Sequence, residues 1–525
     1  MEKLDSSSPG WAVLIIVSLS AFIITIDSTF MNVAITNLVV DLDTTVTVIQ
    51  LIIATYALTM ASLMLLGGKM QDIIGRKKAF LLGAIIYGVG TSIAALSINS
   101  LMLLIGWSIL EGIGAALMTP ATASIITGSY EGKKRAFAIG IWTAIAGIAA
   151  AIGPILGGFL TTFFSWRYGF ALELVIVFVI LGLSGKIRYF PKTMDKSQLD
   201  KLGIILSILG LSIFVLGILS LNFTKNWIIS LSIIIIGLLI LGLFYIRQKR
   251  RIKKGKEPLT DIRLFKDRNF TFGNISRLIM QLALAGSVFV LPVFLQLVTG
   301  ANAFTTGLVL LPLTAGLLIC SIATSKLAAY FEPKYIISAG FLVAFTGSLF
   351  LSTQFSLNTE LWQIIPGTFL LGVGIGLSLP LSADVVLSSA SQEKQSDASG
   401  IMSTFANLGS SMGTAVIGII LIIGIFSGLS SAVNQVYPGE FTKEEIQQNI
   451  GGWVQKMQTT DIPGLKSDKA SSIFKIVDLT ITNAMKITFY FVSVIFLIGF
   501  ITSLFIRPFK VSDNTKNDKI RDSTI

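Results

Sequence analysis

Long apolar runs separated by short polar breaks organise this chain from end to end. Fourteen runs can be bracketed: 11–36, 50–68, 79–98, 101–122, 136–163, 168–188, 202–221, 227–246, 270–298, 304–331, 334–353, 360–387, 399–428 and 484–507. Each is close to the ~20 residues that carry a helix across the hydrocarbon core of a bilayer. The breaks alternate in charge. With the N-terminus in the cytoplasm, inner segments collect 31 of the 40 lysines and arginines. The short outer loops then hold only Arg167 and Lys225, and the reverse topology would place the basic stretch Arg247–Arg268 outside, against the positive-inside bias. The pattern predicts an all-α polytopic membrane protein with both termini cytoplasmic.

Composition agrees and removes alternatives. The 525 residues are 53% hydrophobic and only 13% charged, with a mean hydropathy of +0.80. Soluble domains carry about 25% charged residues, so a soluble enzyme is excluded. There is no histidine, which leaves proton chemistry to carboxylates and removes the commonest metal ligand. A single cysteine, Cys320, precludes an intramolecular disulfide. No phosphate-binding loop is present, so ATP-driven transport by this chain alone is not expected. The net charge of +12 is accounted for by membrane orientation, with no nucleic-acid partner. Residues 1–10 are too short and acidic for a signal peptide, and the first run reads as a retained helix.

The chain also repeats. Shifted by 260, "EGIGAALMTP" (Glu111–Pro120) lies over "LGVGIGLSLP" (Leu371–Pro380), and Gly140, Gly153 and Gly158 fall on Gly400, Gly413 and Gly418. Two six-helix halves in the same orientation follow, at 11–188 and 270–507, with helices 7 and 8 and a basic linker inserted at 189–269. Parallel halves of this kind place substrate near the midplane between them. The segment 429–483 reads as an outer cap with a helical stretch from Thr442 and a second helix from Ser467. Residues 508–525 read as a polar tail.

Few polar residues lie inside the runs, and these are the candidates for chemistry. Asp27 sits about 24 Å along the first helix and is either a proton-titrating or cation-recognising acid, or a packing Asp bonded to Thr29, Asn32 or backbone. Glu111 lies near the midplane of the fourth run, where removal from water favours the protonated carboxyl and suits reversible proton binding. Glu173, six residues after Arg167, reads as a surface ion pair or interfacial anchor as readily as a functional acid, and Arg277 reads as snorkelling to the cytoplasmic face rather than neutralising a cavity acid. Asn32, Tyr56, Trp107, Trp142, Gln281, Phe289 and Gln296 are candidates to line a cavity. In "GKMQDIIGRKK" (Gly68–Lys78), Gly68 and Gly75 permit a tight turn, and Asp72 four residues before Arg76 can latch two helices.

That last string resembles motif A of the major facilitator superfamily, in Gly68, Asp72, Gly75, Arg76 and Lys77. Fourteen helices with a central inserted pair resemble its 14-helix drug:proton antiporter branch, as do "IDSTFMNVAI" (Ile26–Ile35) and "PLTDIRLFKDRNF" (Pro258–Phe270). The closing proline of the first of these is Thr36 here. "GIWTAIAGIAAAIGPILGG" is similar to the antiporter motif C in Gly140, Gly153, Pro154, Gly157 and Gly158, with Ala149 in place of the middle glycine. Motif B reads Arg-x-x-Gln-Gly in the family, and its slots here hold Ser108, Glu111 and Gly112. The resemblance implies a cofactor-free transporter of the cell membrane, functional as a monomer and driven by the proton gradient. It would export amphipathic cationic or neutral drug-like molecules, with Asp27 and Glu111 in proton coupling. An exporter or importer of one physiological solute, and a membrane sensor or scaffold without transport, are the other readings.

Overall fold

The computed structural model describes residues 11–130, 132–192, 194–221, 227–328, 330–390, 394–436 and 467–507. Residues 1–10, 131, 193, 222–226, 329, 391–393, 437–466 and 508–525 lie outside the described residues, and with them the helical stretch expected from Thr442. The first half comprises α1 (Trp11–Phe30), α2 (Ile35–Asp41), α3 (Val46–Ile74), α4 (Arg76–Ala95), α5 (Ser100–Leu103), α6 (Gly112–Ser129), α7 (Gly132–Phe163) and α8 (Arg167–Gly182). The inserted pair is α9 (Lys201–Ser220) and α10 (Trp227–Lys253). The second half comprises α11 (Arg268–Leu297), α12 (Ala303–Leu327), α13 (Pro333–Leu351), α14 (Leu361–Ser388), α15 (Gln395–Val436) and α16 (Ser467–Ser503). A 3-10 turn, Met31–Val33, joins α1 to α2, and a π-helical stretch, Leu104–Glu111, joins α5 to α6 in one continuous span.

Among the described residues, thirteen helices are long and apolar enough to span a membrane. The fourteenth expected helix is α8, whose 16 residues make it the short one. The expected run there reached 188, but a 3-10 turn at Ser184–Lys186 ends it earlier. Side chains fix the helix starts: Thr45, Asn99, Asp267 and Asn302 each accept a hydrogen bond from a backbone N–H three residues on. α15 runs on to Val436, beyond the expected 428, and α16 begins at Ser467.

The repeat is visible in the packing. Gly153 of α7 lies against Thr29 of α1, and its repeat partner Gly413 of α15 lies against Leu282 of α11. Each half lends one helix to the other. α7 meets α12 where Gly158 faces Ala303, while α15 meets α3 where Ser411 Oγ donates to Ala54 O at 2.7 Å and Gln50 Nε2 donates to Thr414 O at 2.8 Å. The pair α9–α10 stands outside this arrangement and packs on α3 and α15.

Where α9 and α10 meet at the basic end, Asp200 is buried and caps α9 through the Gly203 N–H. It pairs with Arg247 at 2.6 Å and accepts from Gln248 Nε2 at 2.9 Å, while Gln248 Oε1 takes the Leu259 N–H of the linker. Burial pushes this carboxyl up, but the hydrogen bonds from Arg247, Gln248 and the Gly203 N–H outweigh it and hold it below the usual carboxylate range. A depressed native value contributes stability that is complete above the unfolded carboxylate pKa of about 4 and lost as pH falls through the lowered value. Asp200→Asn is therefore expected to destabilise the detergent-solubilised protein by about 2–3 kcal/mol at neutral pH. The difference from wild type should shrink below about pH 3 in a thermal-unfolding series.

Candidate functional site

The site begins at the π-helical stretch. Widening the helix to i→i+5 bonding turns consecutive side chains to directions that a regular helix would not give them. Gly106 there and Gly90 of α4 bring the two backbones together: a Cβ on Gly90 would lie 2.7 Å from the Glu111 amide nitrogen. Ser108, in the slot of the motif B arginine, is buried and donates to Ile52 O of α3 at 2.7 Å. One turn further along α3 is Tyr56, whose ring stacks on Trp107 with centroids 5.6 Å apart and planes at 25°.

Behind this aromatic pair, three carboxyl groups converge. Asp27 of α1, Glu111 of the π-helical stretch and Glu173 of α8 are 0%, 0% and 1% exposed, and each offers an oxygen within 4.8 Å of the other two. Trp107 Nε1 donates to Asp27 Oδ2 at 2.9 Å, and Tyr87 Oη donates to Glu173 Oε2 at 2.9 Å. Asp27 Oδ1, both Glu111 oxygens and Glu173 Oε1 have no hydrogen-bond partner among the described residues. No salt bridge among the described residues reaches any of the three. Like charges this close repel by about 3–4 kcal/mol per pair at an effective dielectric of ~20. The cluster thus favours bound protons, and its oxygen set is also compact enough to embrace a single cation.

Two of the readings change here. Glu173 does not pair with Arg167. Six residues turn a helix by about 600°, which moves Glu173 some 120° around from Arg167 and about 9 Å deeper. Arg167 instead pairs with Asp41 at 3.2 Å beside Trp166. Arg277 does not snorkel to the basic face. Its Nη1 donates to Leu379 O of α14 at 3.1 Å, and its Nε is buried. For Asp27, the expected alternative of bonding to Thr29 or Asn32 is absent, because those side chains bond to carbonyls of their own helix.

A cavity of about 180 Å³ lies between the halves, walled by α1, α3, the π-helical stretch and α7 on one side and by α11, α12 and α15 on the other. Its polar lining includes Asn32, Tyr56, Trp107, Gln281, Ser410 and Thr414, all uncharged. The three acids do not line it. Of the other expected lining residues, Phe289 is buried in the core, and Trp142 lines a second cavity of about 450 Å³ toward the basic end. Gln296 closes the opposite end instead: its Nε2 donates to Val33 O at 2.6 Å, and its Oε1 accepts from Thr36 N at 3.2 Å and Thr36 Oγ1 at 2.5 Å. The threonine in place of the branch's proline supplies both of those donors.

The glycine motifs divide by what they touch. Gly157 abuts Phe30, Gly158 abuts the Ala303–Phe304 backbone, and Pro154 turns its carbonyl toward Gly307 of α12, whereas Gly140 faces open space. At the basic end Gly75 takes φ +91°, a conformation that favours glycine, with Phe190 O close above it. Arg76 Nη1 donates to Ser124 O of α6 at 2.8 Å and sits over the Phe190 ring, and Lys77 Nζ donates to Ile187 O. Asp72 and Gly68 border a small pocket with Lys69 and Asp397. An ion pair among the described residues crosses between the halves there, Lys69–Asp397 at 3.3 Å, which the sequence did not single out. Lys69→Asp is expected to slow transport about fivefold, the weight of an ion pair worth ~1 kcal/mol, and Lys69→Asp with Asp397→Lys to recover it. A transport assay on the three variants checks this.

Comparisons with known proteins agree with the fold. The profile of the Major Facilitator Superfamily matches residues 17–201 and 201–414. The multidrug transporter protein MdtP of Bacillus subtilis is 26% identical over 95% of this chain and 94% of its own. The riboflavin transporter RibZ of Clostridioides difficile is 27% identical over 85% and 94%. Among solved structures, an inward-facing, unoccupied bacterial homologue of the human lysosomal transporter Spinster superposes with a TM-score of 0.62 at 16% identity, over 94% of this chain and 97% of that one. That likeness concerns the fold alone. Two six-helix halves of long apolar helices with a cavity between them are the arrangement of a multi-pass membrane transporter, and the chain belongs to the Major Facilitator Superfamily, among relatives named for drug efflux.

Proposed function

We propose that the chain is a proton-coupled antiporter of the cell membrane that exports amphipathic, cationic or neutral drug-like compounds by alternating access. The observation that carries this reading is the buried group Asp27, Glu111 and Glu173, three carboxyls without a basic partner among the described residues, set one aromatic layer from the cavity. Such a group stays neutral only by holding protons, and each proton lost leaves a negative charge that favours a cation nearby. With the basic end in the cytoplasm, the larger cavity opens inward and Gln296 seals the outer side. Protons arriving from outside reload the acids as substrate leaves. One chain supplies both cavity and acids, so a monomer suffices.

The test is proton movement in energised inside-out vesicles containing the protein. Ethidium addition is expected to dissipate the pH gradient, with no effect in vesicles lacking the protein. Absence of proton movement while the folded protein is present overturns the antiport reading. The riboflavin transporter relative favours a second reading, transport of a single planar physiological solute. Riboflavin in the same assay separates the two.

A further inference from the structure

The cavity and the acids are adjacent but do not touch, and this separation defines a role for the groups between them. The Tyr56 and Trp107 rings line the cavity, while Asp27, Glu111 and Glu173 do not. Trp107 borders the cavity and also donates a hydrogen bond to one of the acids, Asp27. It is fully buried, sits in the π-helical stretch and is fixed by three contacts: Tyr56 on one ring face, Phe170 of α8 at its edge and Asp27 at its N–H.

We infer that Trp107 is a positioning residue that transmits occupancy of the cavity to the acid cluster, so that substrate and proton exchange without sharing a contact. This rests on the antiport reading above. A planar cation seated against the Tyr56–Trp107 pair is held by stacking and cation–π attraction. It presses the indole toward α1 and keeps the N–H on Asp27, where a hydrogen bond to a carboxylate is stronger than one to a neutral acid. The cation's field crosses the ring in the same direction. Asp27 then gives up its proton to solvent and is left as the carboxylate that Trp107 supports. When the cavity empties, the indole is free to tilt away and Asp27 takes a proton back. The other titratable groups facing Asp27 are Glu111 on the π-helical stretch, Glu173 on α8 and Tyr56 on α3, with Tyr87 of α4 behind Glu173. Among these described neighbours, Tyr56 and Trp107 alone reach the cavity. Selectivity follows as well: with an uncharged lining, the site recognises a flat π-surface before it recognises charge.

The experiment counts protons released per ethidium bound, at saturating ethidium, in weakly buffered detergent solution with a pH indicator. Wild type is expected to release about one proton per ethidium. Trp107→Phe keeps a ring but has no N–H, and its release is expected to fall at least threefold. Trp107→His, which restores a ring N–H, is expected to recover part of it. Tyr56→Leu leaves the indole N–H but removes the stacked ring, and release per bound ethidium is expected to fall there too. This second site keeps the inference falsifiable if the Trp107 variants do not fold. Release unchanged in Trp107→Phe, or in Tyr56→Leu, overturns the relay and leaves proton antiport standing. Binding without proton release in wild type overturns the antiport reading itself.

Discussion

Glu111→Gln is expected to reduce uphill ethidium export by about 100-fold while leaving the protein folded and able to exchange ethidium down its gradient. The variant isolates coupling from packing. Gln matches Glu in shape and in the buried space beside Gly90, and it imitates the protonated acid, so the π-helical stretch keeps its side chain. What it cannot do is lose a proton. Among the described residues no salt bridge reaches Glu111, so no ion pair there is broken by removing the charge. A merely structural Glu111 would give the opposite pattern, with counterflow and net export falling together. The two assays on one vesicle preparation tell these apart.

Gly158→Val is expected to lower transport more than tenfold, and Gly140→Val to leave it within about twofold of wild type. Both glycines belong to the string that resembles motif C, but their surroundings differ. A Cβ at position 158 would lie 2.8 Å from Phe304 Cα and closer still to the Ala303 carbonyl, both backbone atoms of the opposite half. Backbone yields less than a side chain, so the two halves must part where α7 meets α12. That contact lies at the end sealed by Gln296, and a wedge there hinders the closure on which alternating access depends. At Gly140 no described residue lies within 4 Å of the added carbon. Equal loss at both positions would mean that the motif acts through something other than close approach.

These cases show how far the sequence could be read. The helices were legible because crossing a bilayer demands unbroken apolar length, and the halves were legible because glycines recur wherever equivalent helices meet, as Gly153 and Gly413 do. α8 was misjudged at its end because a 3-10 turn has no compositional signal. The acid cluster was two-thirds legible: Asp27 and Glu111 stand out as charges inside apolar runs. Glu173 did not, since Arg167 lay near it in the sequence and offered a simpler account. Only the short α8, packed on α4, turns it inward. The π-helical stretch had no visible sign, and without it the convergence of three helices on one point could not be derived. Lys69 was hidden among the basic residues that orientation already explained. The cavity lining was legible in part, since Asn32, Tyr56, Trp107 and Gln281 do line it. Gln296 and Phe289 were sensible choices by type, but which face of α11 turns toward the cavity is settled by packing against α14, α15 and α16.

The central claim is that occupation of the cavity displaces a proton from the buried acids, and the pH dependence of ethidium affinity tests it most directly. If one proton leaves per ethidium bound, the dissociation constant of the detergent-solubilised wild type falls about tenfold per pH unit across the range where the cluster titrates. In Asp27→Asn the slope should flatten. A wild-type affinity that stays constant between pH 5 and 9, measured on folded protein, would contradict the account.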